Sequence, residues 1–236
     1  MPNAFTKSPL FGTLLQDATV AEAFAASNML RHILAFERAW TESLIAVGNV
    51  SEVEGALALA AIDAFPILDF TAEAIEADGL PVPEIVRQLR SSCDEKGRAA
   101  IHTGATSQDV LDTVMGLVCR DLMSTFQTRI DTIISQLDGL GARFGKAPLM
   151  GRTRMQAALP ITVADRLRSW VAPLTALEEM AFPAQIGGPV GLRDMKNGEE
   201  VAAHVASSLG MMLGEVWHTD RSVFLDAGHT LTKLSG

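Results

Sequence analysis

The 236-residue chain has a mass of 25.2 kDa, a mean hydropathy of +0.22, 48% hydrophobic and 20% charged residues, which excludes a disordered protein. Its 19 basic and 28 acidic residues give a net charge of −9, which argues against nucleic-acid and anionic-membrane partners. Two cysteines cannot build a disulfide framework, and neither a long uncharged apolar stretch nor a secretory leader is evident. We therefore expect a cytoplasmic protein.

Helix signals follow one another along the chain. Five short polar residues each precede an acidic residue by three positions, as in a capping box: Thr19, Ser51, Thr106, Thr162 and Asn197. Apolar residues recur every three or four positions from Met29 to Val47, and again from Val110 to Phe144. The second run predicts a helix of roughly 35 residues, about 50 Å long. Because strand signals are few, the predicted fold class is all-α.

Breaks in the helical pattern divide the chain. Proline and glycine interrupt it within 66–97, from Gly145 to Pro160, and again within 183–191. We predict a small N-terminal helical domain over 1–100, followed by a bundle of long helices over 101–236. The long apolar stripe has few partners in a chain of this size, so we expect subunits to pack together. The alternative is an intramolecular helical hairpin.

Several common ligand sites are not indicated. The five histidines never fall at a metal-ligand spacing, so no metal site is predicted. The Gly141–Lys146 segment is one residue short of a Walker loop, and the glycines of 187–191 follow no strand.

The densest polar cluster spans 101–109, directly before the longest predicted helix. It combines hydroxyl and imidazole side chains, Gly104 and a helix N-terminus, a combination that can bind an anion. The alternative is an elaborate N-cap in which Thr106 or Ser107 caps the helix and His102 bonds a loop carbonyl.

Three weaker clusters lie in other predicted loops. Arg152 and Arg154 within 151–156 offer forked donors for carboxylates, or are simply solvated. A glycine-hinged turn follows Gln185, and the 217–221 segment places an imidazole beside a guanidinium, although a histidine at a helix end is more often structural. Together the clusters favour a small polyanionic substrate over a polymer.

Four segments resemble the fumarase/aspartase superfamily: His-Thr-Gly-Ala-Thr-Ser-Gln-Asp-Val at 102–110, Gly-Arg-Thr-x-Met-Gln-x-Ala-Leu-Pro-Ile-Thr at 151–162, Gln-Ile-Gly-Gly at 185–188 and Trp-His-Thr-x-Arg at 217–221. They are most similar to its bacterial 3-carboxy-cis,cis-muconate cycloisomerases, enzymes of protocatechuate breakdown, as are Phe11-Gly12 and Ala35-Phe36-Glu37. The resemblance covers essentially the whole chain.

The resemblance implies a homotetramer with a central helical core, active sites shared between subunits, and no cofactor. The implied reaction is intramolecular: one carboxylate of the tricarboxylate adds to the conjugated double bond and closes a γ-lactone, through an enolate-like intermediate stabilised by hydrogen-bond donors. The implied catalytic residues are His102, Ser107 and His218, with neither histidine favoured as the acid. The implied substrate-binding residues are Thr103, Thr106, Gln108, Arg152, Thr153, Gln156, Gln185 and Arg221.

Two departures from the family pattern stand out. Superfamily lyases usually carry a histidine after Gly-Arg-Thr, and here Arg154 stands in that place. Lactonising members also tend to lack this histidine, so the change argues against a lyase more than against an enzyme. The signature loop Gly-Ser-Ser-x-Met-Pro-x-Lys-x-Asn-Pro does not occur, so we expect a fragment of a longer protein. The alternative functions are a fumarate-releasing lyase of the same superfamily and a non-catalytic helical oligomerisation fragment.

Overall fold

A computed structural model of the chain describes residues 16–66, 72–175 and 180–235, so the resemblance at Phe11-Gly12 lies outside the described residues. Within these ranges nine α-helices and one two-stranded sheet are found, which confirms the all-α class. The helices are α1 Ala18–Ala23, α2 Ala26–Ala46, α3 Glu52–Asp63, α4 Ala72–Asp78, α5 Val82–Ser92, α6 Ser107–Phe144, α7 Val163–Thr175, α8 Gly198–Ser208 and α9 Ser222–Ser235. A 3₁₀ turn, Gly97–Ala100, precedes α6.

The long helix predicted from the apolar spacing is confirmed. Helix α6 has 38 residues, which corresponds to about 57 Å at 1.5 Å per residue. Its first turns bury Val110, Val114 and Leu117.

The chain divides into two compact units. The first comprises Met1–Arg120 and Phe182–Asp220, and the second Asp121–Ala181 and Arg221–Gly236. These limits differ from the expected domain boundary near residue 100, which stays a prediction. Helix α6 is the element that runs through both units.

The core of the first unit lies along α2, which packs against α3 and α8. Phe36 and Trp40 are almost fully buried and their rings stack at 5.8 Å, with Leu44 one turn further on. Burying each such side chain contributes about 1.5–3 kcal/mol to folding. The predicted apolar face of 29–47 is thus the face that anchors this unit.

The second unit contains a β-hairpin where the sequence analysis expected a loop. Strands β1 (Pro148–Thr153) and β2 (Gln156–Thr162) pair antiparallel, with a bulge at Gly151. The turn residues Arg154 and Met155 both have positive φ, 47° and 67°. The loop prediction was wrong because both faces of the hairpin are largely exposed, which leaves no alternating pattern, and the turn lacks the usual Asn-Gly signal.

Three of the five predicted capping pairs form hydrogen bonds. Ser51 with Glu54 and Thr162 with Asp165 make reciprocal capping boxes, and Asp109 accepts from the Thr106 N–H. The prediction for Thr19 was wrong, because Asp17 caps α1 in its place. Asn197 does occupy the N-cap position of α8, but its side chain makes no capping bond there and its amide donates to the carbonyl oxygen of Val47.

The helices in the described ranges include none with the length and hydrophobicity that a membrane-spanning segment requires. The same ranges contain no group of three His, Cys, Asp or Glu side chains that could hold a metal ion.

Candidate functional site

The 102–106 segment is a sharp turn between the 3₁₀ turn and α6. His102 has a φ of 58°, a left-handed conformation that non-glycine residues seldom adopt, and Gly104 has a φ of 84°. A Cβ at Gly104 would also lie 2.9 Å from Cε of Met195, so another residue would be strained by its φ and would have to displace that side chain. The polar side chains predicted to form a site are therefore displayed on a constrained backbone.

Hydrogen bonds with neighbouring residues hold this turn. The indole N–H of Trp40 donates to the Thr103 carbonyl at 3.0 Å, and Nη2 of Arg90 donates to the Ile101 carbonyl at 2.8 Å. The Thr103 hydroxyl donates to the Ala99 carbonyl, so this predicted substrate-binding group is engaged with backbone.

Replacing Trp40 by Phe is expected to lower the free energy of unfolding by about 2–3 kcal/mol. The substitution leaves a cavity and removes the donor to Thr103 at a buried position. Urea denaturation measures the loss. Phe24→Leu is the control, since Phe24 is 45% exposed and its replacement should change the free energy by less than about 0.5 kcal/mol. Equal losses in both variants would contradict the anchoring role of Trp40.

A buried carboxylate orients His102. Nδ1 of His102 lies 2.6 Å from Oε1 of Glu37, whose side chain is fully buried, while that of His102 is 13% exposed. A carboxylate can only accept, so Nδ1 carries the proton of this bond and Nε2 is the nitrogen left for a ligand. Oε2 of Glu37 has no hydrogen-bond partner within the described residues. The pair is a carboxylate–imidazole arrangement suited to proton transfer.

The sequence analysis quoted Glu37 only for its resemblance and missed this role. The available signal was an acid on a buried stripe: Ile33, Glu37 and Thr41 follow one another at four-residue spacing, and all three are buried. Carboxylates are almost never buried unless paired. A partner for Glu37 could therefore have been sought among the histidines.

His102 and Ser107 line one cavity of about 530 Å³ in the first unit, together with Arg87, Arg90 and Arg98. The sequence analysis singled out the imidazole and the hydroxyl but missed all three arginines. Their signal was weak, because Arg87 and Arg90 lie one turn apart on α5 and Arg98 lies four residues before His102. An acidic protein thus gathers cations around the predicted site.

Asp109 ties the start of α6 to the glycine turn at 187–188. Its carboxylate is fully buried and accepts from the N–H groups of Gly187 at 2.8 Å, Thr106 at 3.0 Å and Gly188 at 3.1 Å. Burial raises the pKa of Asp109 above its ordinary value, while these N–H groups act in the opposite direction. Asp109 is therefore the residue that joins two of the predicted clusters.

Gln185 and His218 belong to the same glycine-rich region. Gln185 is fully buried, and its side-chain Oε1 accepts from the main-chain N–H of Trp217 at 2.7 Å. The main-chain N–H of Gln185 donates to the Thr113 hydroxyl at 3.0 Å. A Cβ at Gly191 would lie 2.3 Å from Cε1 of His218, so the imidazole packs directly on that glycine. The amide oxygen of Gln185 thus holds the backbone at 217, and its predicted contact with substrate stays a prediction.

The other predicted residues are more exposed. In the first unit Thr106 is half-buried and Gln108 is exposed. In the second unit Thr153 and Gln156 pair next to the hairpin turn, where Nη1 of Arg152 donates to the Met155 carbonyl at 3.4 Å. Arg221 precedes α9, with its guanidinium over the ring of Phe224 at 5.0 Å. The predicted site residues therefore divide between the two units.

A profile of the family described as Lyase matches residues 3–185. The chain belongs to this family, the fumarase/aspartase superfamily. Its relatives in the superfamily include a 3-carboxy-cis,cis-muconate cycloisomerase of Acinetobacter baylyi, 27% identical over 97% of this chain and 54% of the relative. They also include trans-aconitate decarboxylase 1 of Mycosarcoma maydis, 29% identical over 68% of this chain and 35% of the relative.

The superfamily fold is also seen in solved structures. The crystal structure of β-carboxy-cis,cis-muconate cycloisomerase from Acinetobacter calcoaceticus sp. ADP1 matches with a TM-score of 0.83 and 27% identity, over 95% of this chain and 56% of that one. The chain thus spans about half the length, or less, of these superfamily members.

Proposed function

We propose that the chain is part of a cycloisomerase that closes 3-carboxy-cis,cis-muconate, or a close anionic analogue, to a muconolactone. The observation that carries the proposal is the Glu37–His102 pair at a cavity lined by Arg90, Arg98 and Ser107. It places a proton-transfer group beside donors for carboxylates. The names of the relatives support the substrate class, because trans-aconitate and 3-carboxy-cis,cis-muconate are both unsaturated tricarboxylates.

The proposed reaction transfers one proton and forms one bond. A substrate carboxylate oxygen adds to the distal carbon of a double bond, and the π-electron pair moves to the carbon α to another carboxylate. That carbon then takes a proton, for which the imidazolium form of His102 is the proposed donor through Nε2. The buried carboxylate of Glu37 stabilises the imidazolium before transfer and fixes the ring for it. Solvent returns the proton to His102.

The remaining predicted residues have binding roles in this proposal. Ser107 begins α6, so its hydroxyl and backbone N–H lie where a helix N-terminus favours negative charge. Charge on the enolate-like intermediate is stabilised by such donors. In the first unit Thr106, Gln108 and Gln185 stay proposed substrate-binding residues, and His218 stays a proposed catalytic residue. In the second unit Arg152, Thr153, Gln156 and Arg221 stay proposed substrate-binding residues.

We further propose that copies of the chain assemble as a homotetramer with shared sites. Superfamily members act on small anionic substrates and are typically oligomeric. Large apolar side chains are exposed on the helices of the second unit, among them Phe144, Trp170 and Leu225. Light scattering on the purified protein tests this, and a monomer at micromolar concentration would contradict it.

The activity is tested with the complete gene product that contains this chain. The diene absorbance of 3-carboxy-cis,cis-muconate is followed, and we expect it to disappear with formation of one lactone per substrate. His102→Asn should slow the reaction by about 10²-fold, as expected for loss of a general acid. His204→Asn is the control, because His204 is exposed on α8. An unchanged spectrum with folded protein, or release of CO₂ from trans-aconitate in place of lactone formation, would overturn the proposal.

A further inference from the structure

We propose that Arg90 and Arg98 form a carboxylate-binding pair, so that the cavity they share with His102 takes a small polycarboxylate. The inference rests on the proposed function and deepens it, since it identifies two residues that would select the substrate by its charge. Neither arginine lies in the segments that carry the family resemblance. The argument concerns the first unit alone.

The cavity concentrates positive charge in an acidic protein. Three guanidinium groups line it, and no acidic residue of the described chain does. One of these cations is already neutralised: Arg87 pairs with Asp78 at 2.9 Å and also with Glu84. Arg90 and Arg98 make no ion pair within the described ranges, so their charges are available to a ligand. In a chain of net charge −9, such a cavity attracts small anions away from the acidic surface.

Backbone carbonyls position both guanidinium groups. Nη2 of Arg90 donates to the carbonyl oxygen of Ile101 at 2.8 Å, which leaves Nε and Nη1 as donors for a ligand. Nε of Arg98 donates to the carbonyl oxygen of Cys93 at 3.2 Å, which leaves its two Nη groups as donors for a carboxylate. A guanidinium fixed before binding loses less conformational entropy when it binds a carboxylate. Both side chains are thus prepared as donors.

The same cavity holds the proposed reacting groups. Arg90 bonds the residue directly before His102, so the anion-binding and proton-transfer groups are tied to one turn. A volume of about 530 Å³ falls within the usual range for small-molecule sites, about 300–1,000 Å³. A ligand with several carboxylates can therefore contact the arginine pair and His102 within one cavity. Two available cations in one cavity favour a polycarboxylate over a ligand with a single charge.

The test measures the binding of propane-1,2,3-tricarboxylate, an unreactive tricarboxylate, to the complete gene product by calorimetry. Arg90→Met and Arg98→Met should each raise Kd by about tenfold or more, the usual effect of losing a charge-assisted hydrogen bond. Arg87→Met is the matched control and should raise Kd by less than about threefold, because Asp78 and Glu84 already satisfy that cation. Circular dichroism and thermal unfolding verify that each variant is folded.

Two results would overturn the inference. One is an unchanged Kd in both Arg90→Met and Arg98→Met; the other is an equal rise in Kd in Arg87→Met, which would indicate general attraction to a basic surface. If Arg90→Met fails to fold because the bond to Ile101 is lost, Arg98→Met and Arg90→Lys decide the matter. The side chain of Arg98 donates to Cys93 and not to the turn that holds His102, and lysine keeps the charge at position 90.

Turnover separates the failure of this inference from the failure of the proposed function. If tricarboxylate binding depends on Arg90 and Arg98 but no lactone forms from the muconate, the binding site is supported and the proposed cycloisomerase activity is overturned. Lactone formation with an unchanged KM in both methionine variants supports the cycloisomerase and overturns the arginine pair. If both proposals hold, the two variants should raise KM more than they lower kcat, since the contacts form before the reaction begins.

Discussion

Replacing Glu37 by Gln is expected to lower kcat for lactone formation by about 10²-fold while leaving KM nearly unchanged. The amide oxygen of Gln can still accept from Nδ1 of His102, so the ring keeps its place in the turn. The negative charge that stabilises the imidazolium is lost, however, and Glu37 is fully buried, so water does not replace it. The rate of lactone formation at saturating substrate measures the effect.

A second measurement distinguishes positioning from simple structural support. The ¹⁵N chemical shifts of the His102 imidazole report which ring nitrogen carries the proton, and in the parent protein we expect the proton of the neutral ring on Nδ1. In Glu37→Gln part of this proton should move to Nε2, because the side-chain amide of Gln can either accept a hydrogen bond from Nδ1 or donate one to it. Glu42→Gln is the control, a half-buried position on the same helix that pairs with Arg38. Unchanged shifts and an unchanged kcat in Glu37→Gln would show that the pair only fills space.

The elements that were predicted correctly are those whose signal is local. Helix α6 presents apolar residues every three or four positions, and its buried positions Val110, Val114 and Leu117 follow that spacing. The β-hairpin carries no such signal, because β1 and β2 expose both faces and Arg154 adopts a positive φ with no residue type that predicts it. Apolar residues alternate along a strand only when one face is buried, so a hairpin exposed on both faces shows no such alternation.

The candidate site divides in the same way. His102 and Ser107 could be singled out because hydroxyl and imidazole groups crowd into one short segment. Glu37 lies 65 positions away from His102 and meets it only because α2 packs beneath the turn. Arg90 and Arg98 reach the cavity from α5 and the 3₁₀ turn, and nothing in their own spacing distinguishes them from solvated arginines. Tertiary contacts of this kind are not encoded in any single stretch of sequence.

Gln185 was recognised as part of a motif, but its role within the fold could not be predicted from that motif. Its side-chain oxygen and main chain are committed to Trp217 and Thr113 inside the first unit. The sequence offered only a polar residue before two glycines, which a binding turn and a structural turn share. Burial of the side chain is what distinguishes them, and burial depends on the packing of α6 against this turn.

Replacing Asp109 by Ala is expected to lower the free energy of unfolding by about 3–5 kcal/mol. The substitution removes the acceptor for the N–H groups of Thr106, Gly187 and Gly188, and a buried donor left unsatisfied costs about 1–3 kcal/mol. Urea denaturation of the folded protein measures the loss. Asp131→Ala on the same helix is the control, because Asp131 is exposed and its bond to Gln127 stabilises the helix by only about 0.2–0.5 kcal/mol.

The effect of Asp109→Ala should also depend on pH in a defined direction. Burial raises the pKa of Asp109 above its ordinary 3.8, so the folded state holds the proton more tightly than the unfolded chain does. Its contribution is therefore complete below pH 3.8 and declines as the pH rises through the pKa of the folded state. The difference between the parent protein and Asp109→Ala should be largest in acid. A difference that grows from acidic to neutral pH would mean that the three N–H groups outweigh desolvation and hold the carboxylate ionised.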